Sequence, residues 1–77
     1  MRIDEQSPLH PYEQVAAWLR EEIRAGRIGP RVPALLELAD QTGASVATVR
    51  RALKILTDEG ITYVVRGRGT FVRQERG

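Results

Sequence analysis

The joint Gly43-Ala44-Ser45 constrains this chain more than any other stretch. It separates two apolar stripes of helical spacing, and so short a link lets two helices change direction but not continue as one. Ser45 has the residue type of an N-cap, and Val46, Val49, Ala52, Leu53 and Leu56 then recur with the period of one buried helix face until Gly60. This predicts a helix over Val46 to Glu59. Before the joint, a helix can begin at Pro33 and run through Leu35, Leu36, Leu38 and Ala39 to Thr42, where Gly43 closes it.

Two helices joined through a glycine-containing turn of this length form a helix-turn-helix, from which the second helix can protrude. A further helix precedes them. Tyr12, Val15, Ala16, Leu19 and Ile23 make one stripe, Pro11 suits a first turn, and Gly26 supplies a stop, which predicts Pro11 to Ala25. Trp18 falls at the edge of that stripe, where partial burial against the arm or the wing competes with a protein contact surface. Met1 to His10 is a polar arm without periodicity, and Gly26 to Pro33 is a connection rich in glycine and proline. After Gly60 the period switches to 2. Ile61, Tyr63 and Val65 alternate with Thr62 and Val64, and Arg66-Gly67-Arg68-Gly69 turns the chain into Thr70 to Arg73. The expected fold is α+β: a winged helix-turn-helix of three helices plus a two-stranded hairpin over residues 11–73, with a frayed tail at 74–77.

Composition narrows the function classes. The chain has 77 residues and no cysteine, room for one domain with a small core and no thiolate metal site. No run of apolar residues is long enough for a membrane span, and the polar start is unlike a signal peptide, so a cytoplasmic protein is expected. Residues 1–49 carry five arginines against seven acids, whereas residues 50–77 carry seven cations against three acids. A basic half of this kind points to a polyanion, although a solvated basic face is the plain alternative.

The excess sits on two elements. With Val49 at 0° and ~100° per residue, Ala52, Leu53 and Leu56 fall on the core side, while Arg50, Lys54, Ala47 and Arg51 fall between roughly 100° and 200°. A helix that enters the major groove needs such a surface: cations for phosphates, arginine for base edges, and a small residue between them. Ser45 and Thr48 place hydroxyls in the first turn, where phosphate can bind. The same wheel also describes an ordinary solvated face. At the hairpin tip, Arg66 and Arg68 flank Gly67, and Gly69 follows, so a tip of bare backbone and guanidinium could fit a minor groove about 6 Å wide. A tight turn that only needs glycine reads the same way.

In this order the pieces resemble the N-terminal DNA-binding domain of GntR-type bacterial transcription regulators. The resemblance rests on Tyr12-Glu13-Gln14-Val15, Glu37-Leu38-Ala39, Ala47-Thr48-Val49-Arg50-Arg51-Ala52-Leu53, Leu56-Thr57-Asp58-Glu59-Gly60 and Gly67-Arg68-Gly69-Thr70-Phe71-Val72. It implies that Thr48 and Arg50 contact operator DNA and that Gly67 to Thr70 approach the minor groove. There are departures. Ala34-Leu35-Leu36 stands where the family usually has Ser-Glu-Arg, and Val46 stands where arginine usually follows the N-cap. The preceding connection is about two residues shorter than is typical, so binding should be weaker or differently specific. The family's larger effector-binding and dimerising domain has no counterpart before Gly77. A freestanding winged helix is expected from the start at Met1, with a fragment as the alternative.

The expected function is therefore DNA-binding transcription regulation, with double-stranded DNA as the partner. Its interface would comprise Ser45, Ala47, Thr48, Arg50, Arg51, Lys54, Arg66, Gly67, Arg68, Gly69 and Thr70. The alternative is a winged-helix protein-interaction module, an adaptor or antagonist of another regulator with weak or no specific DNA binding, motivated by Leu35, Leu36, Val46 and Trp18. A homodimer or a heterologous protein partner is compatible with either. No cofactor, metal, membrane or small-molecule effector site is expected. Nor is an enzyme, because His10 is the lone histidine and no serine or threonine sits in a nucleophile motif.

Overall fold

The computed structural model describes residues 1–74; the expected fraying of Glu75 to Gly77 lies outside them. The element order is α1 (Pro11–Arg24), α2 (Leu35–Thr42), α3 (Val46–Asp58), β1 (Thr62–Val65) and β2 (Gly69–Val72). The strands pair antiparallel, with Thr62 opposite Val72 and Val65 opposite Gly69. This is the winged helix-turn-helix expected from the sequence, with small shifts at the ends. Pro33 stays outside α2, because Ala34 is the extended N-cap residue. Ala25 and Glu59 are C-cap residues, and strand pairing begins at Thr62.

The core forms where the stripes of α1 and α3 meet. Val15, Ala16 and Leu19 of α1 and Val49, Ala52 and Leu56 of α3 are almost completely buried, and Leu38 of α2 closes the same cluster. Trp18 is half-buried against it. Because the three helices share one core, the direction of α3 is set by packing on its inner face, which leaves its outer face free.

Three polar devices fix the joints. Gly43 adopts φ 72°, the left-handed conformation that ends a helix with least strain in glycine. The buried Thr42 hydroxyl donates to Leu38 O at 2.8 Å and accepts from Ala44 N–H at 3.2 Å, bracing the turn from inside. Ser45 Oγ accepts from Thr48 N–H at 3.1 Å and opens α3 as its N-cap. At the other end of α3, the hydroxyls of Thr57 and the buried Thr62 lie 3.0 Å apart, tying the hairpin to the helix.

Two stretches that look irregular in sequence are ordered by partners elsewhere. In the arm, Gln14 of α1 accepts from Asp4 N–H at 2.8 Å and donates to Asp4 O and Leu9 O at 2.8 and 2.9 Å. Ile3 thereby packs on the core. In the connection before α2, Arg31 bridges to Phe71, with Val72 N–H donating to Pro30 O at 2.7 Å and Val32 N–H to Thr70 O at 2.9 Å. The wing thus has neighbours along both edges of β2.

Candidate nucleic-acid interface

The residues proposed to read DNA are exposed, apart from the half-buried Thr48 and Thr70, and come from two elements held against each other. Arg50 and Lys54 of α3, with Thr70 of β2, line one groove between the helix and the wing, whose walls also include Leu35, Leu53 and Val64. Ala47 is exposed on α3, and Arg66, Gly67, Arg68 and Gly69 are exposed around the hairpin turn. Packing of α3 on α1 and the Thr57–Thr62 contact hold these groups in fixed relation, as a surface that spans two grooves requires.

The cations on the α3 wheel are not equivalent. Arg50 has no carboxylate within 4 Å among the described residues, nor do Arg66 and Arg68. Lys54 instead pairs with Asp58 one turn later, Nζ to Oδ2 3.0 Å. Both groups are well exposed, so water weakens this pair and a phosphate can compete for the ammonium. Arg51 leans back on α1, its guanidinium carbon 3.8 Å from the centre of the Tyr12 ring, and His10 stacks on the same ring at 5.4 Å. Arg51 remains exposed, but its guanidinium is committed to an aromatic face. The wheel alone could not separate these three, because it records direction from the axis and not the neighbours on other helices.

The first turn of α3 is similarly occupied. Ser45 Oγ serves as the cap and donates to Thr48 Oγ1 at 3.0 Å, so the two hydroxyls are linked to each other. Val46 is half-buried, and Leu36 is 75% exposed.

Three arginines, those of α1 and the turn after it, are quenched. Arg20 reaches Glu59 with two hydrogen bonds, Nε to Oε1 2.8 Å and Nη2 to Oε2 2.7 Å, tying α1 to the end of α3. That bond holds the Glu59 carboxyl below its usual range and raises Arg20. Arg24 pairs with Glu21, whose carboxyl is lowered by the hydrogen bond, and Arg27 pairs with Glu22.

A three-helix body with one capped protruding helix and a basic wing is the form of a known set of regulators. The family described as "Bacterial regulatory proteins, gntR family" matches residues 11–72. The chain belongs to that family. It is 41% identical to the transcriptional repressor NagR of Bacillus subtilis, covering 99% of this chain and 32% of that protein. It is also 41% identical to the histidine utilization repressor of Klebsiella aerogenes, covering 92% of this chain and 30% of that protein. The chain therefore spans about a third of the length of these curated relatives. Among solved structures, the AraR DNA-binding domain in complex with operator ORX1 superposes with a TM-score of 0.80 at 35% identity, covering 95% of each chain. YtrA of Sulfolobus acidocaldarius, a GntR-family transcription factor, gives 0.81 at 36% identity over 96% of this chain and 80% of that one.

None of the described groups of histidine, cysteine and acidic residues has the arrangement of a metal site. Among the described residues no helix is long and apolar enough to cross a membrane. The relatives reported are transcription regulators rather than enzymes.

Proposed function

We propose that this chain is the DNA-reading part of a transcription regulator. In this reading α3 enters the major groove, with Arg50 on base edges and Lys54 on a phosphate. The wing turn, Arg66 to Gly69, lies at the neighbouring minor groove, and the DNA strand between the two grooves passes along the channel lined by Arg50, Lys54 and Thr70. Arg51 acts at the border of the interface, on the Tyr12 side. Ser45 and Thr48 contribute the capped first turn, and Ala47 leaves room for the groove floor. One observation carries the reading: among the described residues the guanidiniums of Arg50, Arg66 and Arg68 are left without carboxylates, while those of Arg20, Arg24 and Arg27 are paired. Membership of the family and the operator complex of the AraR domain support it.

A titration of labelled random duplex at two salt concentrations tests this. Salt-sensitive binding is expected, and an Arg50→Ala, Arg68→Ala double variant should bind more weakly than the parent at both salt concentrations. Equal binding by parent and double variant sinks the proposal. A second reading, a protein-docking head, is favoured by the exposed Leu36 and by Val64, which is 64% exposed. It gains ground if the folded chain fails to bind duplex even at low salt.

A further inference from the structure

Arg31 belongs to neither of the two cationic elements. Its backbone lies along the edge of β2 that β1 leaves free, bridged to Phe71 and held by the Pro30 O and Val32 N–H hydrogen bonds. Strand pairing therefore fixes where its side chain starts. The side chain is exposed and runs across Gly69, the first residue of β2. A methyl group placed on Gly69 would meet Arg31 Nε and Nη2 at 3.4 Å and Cζ at 3.8 Å. The guanidinium thus rests on bare backbone beside the wing turn. Gly69 is glycine for two reasons, its φ of 118° and this overlying group.

Arg31 also lacks a carboxylate within 4 Å among the described residues. The acid that shares its groove, Glu37, lies one turn from Gln41, whose Nε2 donates to it at 3.5 Å. An arginine whose planar fork is exposed, positioned by a strand and not neutralised has the properties of a bidentate phosphate contact. Its place at the flank of the wing, not at its tip, favours the sugar-phosphate rim over a base edge.

We infer that Arg31 is a third DNA-contacting element, which binds a backbone phosphate beside the groove that the wing tip enters. The inference rests on the DNA reading of this surface. It makes the connection before α2 part of the interface, and it supplies a cation on the approach to α2, whose own first turn carries Leu36.

The test compares the 77-residue parent with Arg31→Met and Arg31→Lys on random duplex across a salt series, with a thermal melt of each protein. Methionine keeps an apolar stem over Gly69 without the charge, and lysine keeps the charge. Arg31→Met should melt like the parent, bind roughly tenfold more weakly and show a slope shallower by about 0.9. Arg31→Lys should retain the slope. Parent-like affinity and slope in Arg31→Met overturn the role of Arg31 while leaving the DNA reading intact. Weaker binding with an unchanged slope in Arg31→Met also overturns it, since that pattern marks a wing support and not a phosphate contact. Absence of binding by the parent itself overturns both.

Discussion

Leu36 shows how a single side chain can separate fold from function. It is 75% exposed, whereas Leu38, two positions on, is completely buried. A solvent-facing position in a helix tolerates a long cation without loss of packing, so Leu36→Arg should leave the melting temperature within about a degree of the parent. If α2 presents this position to DNA, the substitution adds a phosphate contact, and the salt slope steepens by about 0.9. An unchanged slope with an unchanged melt would show that the first turn of α2 stands away from the nucleic acid. The contrast with Leu38 also explains why the alternating leucines of this helix could not be sorted from sequence. On an eight-residue helix a shift of one residue in the start moves an apolar stripe by ~100°, and Pro33 suggested a start two residues too early.

At the scale of elements, the bond between α1 and the end of α3 carries a pH signature. Glu59 is held below the ordinary carboxylate range by the Arg20 hydrogen bond. A group whose pKa is lower in the folded chain adds stability that is complete above its unfolded value, about 4.3 for glutamate, and that disappears as pH falls through the folded value. Melting curves of the parent and of Glu59→Gln should therefore differ most near neutrality and converge as the medium is acidified past that range. Curves that stay parallel to pH 3 would show that the pair adds nothing to the fold.

The elements themselves were largely legible, because a 3.6-residue stripe on each side of Gly43-Ala44-Ser45 and the period change after Gly60 admit few alternatives. The joints were not. Gln14 orders the arm and Thr42 braces the turn through hydrogen bonds that leave no periodic trace, and the Arg31–Phe71 bridge links residues 40 apart. Of the candidate site, Arg50 and the wing turn could be named from the wheel and the tip. That Lys54 pairs with Asp58 and Arg51 stacks on Tyr12 depends on neighbours the wheel does not hold, although the Lys54–Asp58 spacing of four residues was itself a readable signal.

For the whole molecule, the net charge of +2 understates the field that a duplex would meet. The arginines of α1 and its following turn are each held by a neighbouring carboxylate, so their fields close locally within about a Debye length of ~10 Å. Arg66 and Arg68 of the wing have no carboxylate partner among the described residues. Two double variants make the distinction measurable: Arg24→Gln, Arg27→Gln and Arg66→Gln, Arg68→Gln each remove two positive charges and bring the formal net charge from +2 to zero. If binding followed total charge, both would weaken it alike. With the interface at α3 and the wing, the first pair should leave the salt slope near that of the parent, and the second should flatten it by about 1.8. Fluorescence anisotropy on one random duplex, read at four or more salt concentrations, decides between them. Equal flattening by the two variants would mean that the chain meets DNA as a diffuse cation and not through a defined face.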